Sequence, residues 1–242
     1  MKDRADKLLV SLGLFESRAA ARAAIDAGNV TAGGALVRKP SQILSSEDDI
    51  AATPAHPYVS RGGLKLAHGL DVFGVNPEGR LCLDIGASTG GFTDVLLRAG
   101  AHYVVAVDVG RGQFHASLAA DPRVTSLEAQ DARALTSEML GGTPSLLVCD
   151  ASFIALEKLL SVPLSLASDH AEFVGLFKPQ FQVGRDHVGK GGLVTDTQAA
   201  DRAASDFADW MVMQGWPISA WTDSPIMGGD GNAERLFHAV KR

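Results

Sequence analysis

One short segment limits the possible folds more than any other. Leu81-Cys82-Leu83-Asp84-Ile85 is apolar enough for a buried strand. It runs directly into Gly86-Ala87-Ser88-Thr89-Gly90-Gly91, which opens a helix spanning Gly91–Arg98. Glycines let a backbone turn sharply and approach a ligand closely. A strand that passes through such a turn into a helix places the turn at a ligand crevice.

The pattern beyond this segment agrees with it. Strands are predicted at Leu81–Ile85, Tyr103–Val107, Val124–Glu128, Ser145–Cys149, Glu172–Phe177, Ile218–Thr222 and Leu236–Val240. Helices are predicted between them, notably Gly91–Arg98, Phe153–Leu166 and Ala199–Gln214. This alternation specifies an α/β fold, a Rossmann-like, mostly parallel seven-stranded sheet with helices on both faces. The first residues read differently. Leu8, Leu9 and Leu12 lie at helical spacing and Gly13 ends that helix, while Ser17 caps a second helix over Arg18–Ala27. Short strands follow around Val30, Leu36-Val37 and Asp49-Ile50, with Gly33-Gly34 as the turn between the first two. The expected organisation is a small α+β domain at 1–52, a linker at 53–60 held extended by Pro54 and Pro57, and the large domain at 61–242.

Composition narrows the class. Hydrophobic residues at 46% and charged residues at 21% exclude wholesale disorder. No apolar run reaches bilayer length and the first residues lack an apolar signal core, so a cytoplasmic protein without membrane contact is expected. Cys82 and Cys149 lie within apolar strands as small buried hydrophobes, and the histidines show no ligand spacing, so no metal site is expected. A net charge of −6 argues against a nonspecific polyanion binder but leaves room for a local basic face.

The loop carries chemical information. A pyrophosphate needs amides without a neighbouring carboxylate, yet Asp84 stands just before Gly86. The spacing Asp-x-Gly-x-x-x-Gly-Gly also differs from the dinucleotide spacing G-x-G-x-x-G. A carboxylate there suits an ammonium group, such as that of the methionine part of S-adenosylmethionine. About two dozen residues on, Asp108 ends the next strand, where an acid commonly holds ribose hydroxyls, and Asp131 follows the third strand near an adenine edge. The candidate cofactor residues are Asp84, Gly86, Ser88, Gly90, Gly91, Phe92, Asp108 and Asp131.

Four polar residues form a second set. Lys65 precedes the first core strand, Asp150 ends Leu146–Cys149, Lys178 ends Phe173–Phe177, and Glu234 precedes the last strand. A structural ion pair between lysine and aspartate is one reading of them. The other is catalysis on a hydroxyl, which must lose its proton as it attacks a methyl group. A lysine serves as base only when its pKa is lowered, by desolvation or a nearby cation. Lys65 near Lys178 would supply that cation, with Asp150 and Glu234 orienting the lysines and the hydroxyl.

The Lys-Asp-Lys-Glu order, with Asp84-x-Gly86-x-Ser88-x-Gly90-Gly91-Phe92 after the first lysine, resembles the FtsJ-like RNA ribose 2′-O-methyltransferases. Nearly the whole chain resembles the TlyA (hemolysin A-like) rRNA methyltransferases. The matching segments are Val59–Gly62, Leu83–Thr93, Asp150–Ile154, Lys178–Phe181 and Gly231-Asn232. The resemblance implies a catalytic tetrad of Lys65, Asp150, Lys178 and Glu234, with Lys178 central to hydroxyl activation. It also implies S-adenosylmethionine as cofactor, and ribosomal RNA or ribosomal subunits as partner, modified at a cytidine ribose. Residues Arg4 to Leu9, Gly13-Leu14, Ser17-Arg18, Ala21, Ile25, Gly28-x-Val30, Gly34 and Val37 to Pro40 resemble the ribosomal-protein-S-four-type RNA-binding domain. That likeness implies a phosphate-binding face of Arg4, Lys7, Arg18, Arg22, Arg38 and Lys39. At the domain junction some relatives carry Arg-x-Trp-Val, where this chain has His56-Pro57-Tyr58-Val59.

The alternatives are a noncatalytic RNA-binding assembly factor and a cytolysin. Methylation of base nitrogens often uses an Asn/Asp-Pro-Pro-aromatic loop after the fourth strand, and Asp150-Ala151-Ser152-Phe153 has no proline. Carbon methylation usually needs a cysteine, but strand alternation points Cys149 away from Asp150. Cys149→Ala is therefore expected to retain methyl transfer to RNA in a radiolabel assay, and a thousandfold loss would restore the carbon-methylating reading.

Overall fold

The computed structural model describes all residues, 1–242, and the chain divides into two compact units, Met1–Pro57 and Tyr58–Arg242. The first unit contains β1 (Lys2–Arg4), α1 (Ala5–Ser11), α2 (Arg18–Asp26), β2 (Val30–Ala32), β3 (Ala35–Leu36), β4 (Ile43–Ser45) and β5 (Ile50–Ala52). Strand β2 pairs antiparallel with β3 and β5, and β1 pairs with β4. The predicted hairpin turn is present, with both Gly33 and Gly34 at positive φ, as a tight two-residue loop requires. Ser17 caps α2 by accepting from the Ala20 amide at 3.2 Å. Leu8, Leu9, Ala21, Ile25, Val30, Val37 and Leu44 close a small core.

The second unit runs α3 (Gly62–Phe73), β6 (Leu81–Ile85), α4 (Gly91–Arg98), β7 (Tyr103–Asp108), α5 (Ala116–Ala119), β8 (Val124–Glu128), α6 (Ser137–Leu140), β9 (Leu146–Cys149), α7 (Leu156–Ser165), β10 (Glu172–Phe177), α8 (Thr197–Met213), β11 (Ile218–Asp223) and β12 (Arg235–Val240). Its strands form one seven-stranded sheet in the order β11-β12-β10-β9-β6-β7-β8. Only β12 runs against its neighbours. The chain moves outward from β6 to β8 and then crosses to β9 and β10. The order therefore reverses between β6 and β9, which is where such sheets bind ligands.

Alternate strand residues feed two cores. Leu83, Ile85, Val105, Leu147 and Cys149 face α7 and α8, with an aromatic cluster of Phe173, Phe207, Trp216 and Phe237. Cys82, Val104, Leu146 and Val148 face α3 and α4, against Leu66, Leu70, Val95 and Leu96. No helix is long and apolar enough to cross a membrane.

Helix α3 carries Lys65 and was not expected from the sequence. Its glycines 62, 63 and 69 weaken helix propensity. They are there because neighbours come close: a Cβ on Gly63 would lie 2.5 Å from the Tyr58 ring, and one on Gly69 3.2 Å from Val174. The helix predicted from Phe153 starts at Leu156 instead, because Phe153 takes a left-handed φ of 66°. Within 53–60, Thr53 and Pro54 bond to Asn29 in the first unit, whereas the Val59 amide donates to Asp94 in the second.

The first unit has a polar anchor as well as its small apolar core. Asp6 is fully buried and accepts from Arg4 Nε at 3.0 Å and from Arg18 Nη2 at 2.7 Å. Hydrogen bonds from Arg4 and then Arg18 hold its carboxyl well below the usual carboxylate range. A depressed acid contributes stability above its ordinary pKa and loses it as pH falls through the folded value. Asp6→Asn is expected to lower the melting temperature at pH 7 by several degrees and to narrow the gap between variant and wild type under strong acid. Calorimetry across pH checks both.

Candidate active site

The candidate residues gather at one rim of the sheet because the strand registers require it. Ile85 pairs with Cys149 and Gly175 pairs with Cys149 across β6, β9 and β10. Asp150, one residue past β9, therefore sits beside the glycine loop, and its amide donates to Ile85 O at 3.0 Å. Phe177 pairs with Arg235, so Lys178 and Glu234 lie just beyond the same strand ends. Helix α3 brings in Lys65.

These four side chains form two ion pairs. Lys65 Nζ lies 2.5 Å from Glu234 Oε2, and Lys178 Nζ lies 2.5 Å from Asp150 Oδ1. Lys65, Lys178 and Glu234 are 7%, 7% and 4% exposed. Lys178 also donates to Ser152 Oγ at 2.8 Å. A buried ammonium needs a carboxylate partner, and Glu234 neutralises Lys65. Lys65, Asp150 and Lys178 line a cleft of about 320 Å³ that also takes in Gly86, Ala87, Ser88, Gly91 and Phe92.

The loop is held from behind. The Gly86 and Ala87 amides both donate to Val107 O, and a Cβ on Gly86 would press on the Ala151 backbone at 3.0 Å. Gly90 has φ 93°, and a side chain there would strike Leu118 at 2.4 Å. Ser88, left-handed at φ 49°, is fixed by its amide donating to Asp108 Oδ2 at 2.8 Å.

The acids predicted to meet a cofactor are engaged with the protein. Asp108 Oδ1 also accepts from the Gly110 amide at 2.7 Å. Asp131 is paired with Arg133 at 2.6 Å, which holds its carboxyl below the ordinary range. Asp84 is fully buried behind the loop, one oxygen accepting from Thr93 Oγ1 at 2.7 Å and the other without a protein partner. Burial pushes its carboxyl up to about 7, against the Thr93 hydrogen bond and with help from the nearby charge of Asp150.

Sequence reasoning missed several lining residues. Ser152 and Arg61 both border the cleft, as do Ile226 and Met227 from the loop before Glu234. Arg61 had no legible signal, because the helix that sets it one turn before Lys65 was itself not expected. Phe153, beside Ser152, is 92% exposed and lies tilted against Phe181, with ring centroids 5.2 Å apart. In the first unit, Lys7, Arg22, Arg38 and Lys39 are exposed, while Arg4 and Arg18 are tied to Asp6.

A doubly covered parallel sheet with a glycine loop at its reversal point and paired lysines beside it defines a Rossmann-like methyltransferase domain. Residues 58–241 match the FtsJ-like methyltransferase model, and residues 3–50 match the S4 domain. The chain belongs to the FtsJ-like methyltransferase family. It is 44% identical to the 16S/23S rRNA (cytidine-2′-O)-methyltransferase TlyA of Mycobacterium tuberculosis, over 96% of this chain and 87% of that one. It is 37% identical to Hemolysin A of Brachyspira hyodysenteriae, over 98% and 99%. A solved protein from Streptococcus thermophilus carrying a hemolysin name superposes with a TM-score of 0.78 at 38% identity, covering 99% of this chain and 88% of that one.

Asp84 gives a pH signature. An acid whose folded pKa is raised binds its proton more tightly when folded, so stability falls as pH rises from its ordinary value near 3.8 to about 7 and is flat above. Asp84→Asn is expected to remove that fall. Urea titrations at pH 5 and pH 8 of the ligand-free protein, wild type against variant, read it directly.

Proposed function

We propose that this protein methylates the 2′-hydroxyl of a cytidine ribose in ribosomal RNA, using S-adenosylmethionine and acting in the cytoplasm. The observation that carries the reading is the two lysines lining the cleft beside the glycine loop, each paired with a carboxylate. The FtsJ-like family and the name of the mycobacterial relative support the chemistry and the substrate class.

The residues present fit the cofactor. The cleft has the volume of a small-molecule site. The Gly86 position leaves no room for a side chain, and Asp84 keeps a buried oxygen free of protein partners. Gly86, Ser88, Gly90, Gly91 and Phe92 would cradle the bound group, with Asp108 and Asp131 toward its nucleoside end and Asp84 supporting an ammonium from behind the loop. When bound, S-adenosylmethionine supplies a methyl group made electrophilic by a positively charged sulfur.

The protein's own work is to position the hydroxyl and take its proton. Lys178 in its amine form accepts that proton, and Asp150 holds the lysine at the cleft wall. Glu234 fixes Lys65, whose ammonium then faces the negative charge growing on the ribose oxygen. Alignment of the reacting atoms contributes much of the rate. Phe153 offers an exposed ring on which a base displaced from its helix can stack.

The domain at 1–52 serves as the RNA grip, joined through 53–60 to the catalytic domain at 61–242. Lys7, Arg22, Arg38 and Lys39 supply exposed cations for phosphates. Arg4 and Arg18, with side chains 41% and 53% exposed, are held by Asp6.

The test is transfer of tritiated methyl from S-adenosylmethionine to intact ribosomal subunits. Wild type is expected to label RNA, and Lys178→Ala to lower the rate by about a hundredfold or more, the usual range for a lost general base. Absence of transfer by wild type to either subunit or to precursor RNA would defeat the reading.

A further inference from the structure

We propose that Ser152 is a positioning residue for the lysine base, setting the direction in which Lys178 presents its lone pair. The inference rests on the methyltransferase reading above and adds to it a residue outside the lysine–acid set.

The geometry around Lys178 Nζ is the starting point. A tetrahedral nitrogen has four directions. Cε occupies one and Ser152 Oγ, the hydrogen-bond acceptor at 2.8 Å, a second, while Asp150 Oδ1 lies 2.5 Å away as an ion pair that is not aligned as a hydrogen bond. Lys178, Asp150 and Ser152 all line the same cleft. In the amine form only two N–H bonds remain. With one held by Ser152, the negative charge of Asp150 draws the other and repels the lone pair, which is left to the remaining direction.

Asp150 alone does not fix this. An ion pair out of hydrogen-bond alignment leaves the amine free to rotate about Cε–Nζ, so an N–H and the lone pair exchange places. The hydrogen bond to Ser152 removes that freedom. The hydroxyl suits the role because it accepts from the amine without adding a second negative charge. The other charged groups at the cleft are Lys65 with Glu234, and Arg61 on its border. In the reaction, the ribose oxygen bonds to the methyl carbon as the sulfur–carbon bond breaks with its electron pair going to sulfur. The hydroxyl proton passes to Lys178 Nζ.

Ser152 sits in the turn after β9 with an exposed side chain, so truncation leaves the core untouched. The experiment measures single-turnover methyl transfer and steady-state kcat and KM on ribosomal subunits for wild type, Ser152→Ala, Ser152→Thr and Lys178→Ala. Ser152→Ala is expected to lose about tenfold in the transfer rate, with KM for RNA and for S-adenosylmethionine within twofold of wild type. Ser152→Thr, which keeps the hydroxyl, is expected to stay close to wild type. A Ser152→Ala enzyme with full rate, or one with raised KM and unchanged kcat, would overturn the proposal, as would Ser152→Thr failing as badly as alanine. If Lys178→Ala is inactive while Ser152→Ala runs at full rate, only the serine proposal falls. If Lys178→Ala keeps the wild-type rate, the lysine base itself falls and the serine proposal with it.

Discussion

Two buried lysines govern the arrangement of the catalytic half of this molecule. An ammonium taken out of water is tolerated only beside a carboxylate, and stripping one partner from such a pair costs roughly 3–5 kcal/mol. Lys65 and Glu234 are 169 residues apart in sequence and meet at 2.5 Å. That contact requires α3 to lie close against the sheet, which Gly69 permits by letting Val174 and Leu236 approach. It also requires β12 to insert antiparallel beside β10, in the register that sets Arg235 opposite Phe177. The Lys178–Asp150 contact imposes a matching condition on β9 and β10, which lie side by side in parallel.

Once those pairs are in place, the rest of the site follows from the reversal of strand order between β6 and β9. The glycine loop leaves β6 at the edge where Asp150 leaves β9, and the Asp150 amide bonds to Ile85 O. The glycine loop and the paired lysines and acids therefore share one wall without any long loop to join them. Asp84 and Asp108 stiffen that wall from beneath, one gripping Thr93 at the start of α4 and the other gripping the Ser88 amide. Rigid support of this kind keeps reacting groups aligned without reorganisation during the reaction.

Much of this was legible in the sequence, and the exceptions have physical causes. The seven strands showed as apolar runs, and the ends of β9 and β10 were marked by a charged residue after a buried strand, which is how Asp150 and Lys178 stand out. Helix α3 was hidden because the glycines that let it pack closely are the same residues that erase a helical signal. Strands β1 and β4 are three residues each, too short to display alternation. Partner choice was the other blind spot. Sequence order does not reveal that Arg4 and Arg18 converge on Asp6, or which acid answers which lysine. Ser152 stayed unnoticed because a serine in a turn is ordinary until the lysine it touches is located.

The central claim is that the paired lysines serve proton removal from a ribose hydroxyl. The most direct measurement is mass spectrometry of nucleosides released from ribosomal RNA after ribosomal subunits are incubated with the purified protein and S-adenosylmethionine. The account predicts a cytidine that gains one methyl group and loses it together with the sugar on fragmentation. A methyl group retained on the base fragment would contradict it.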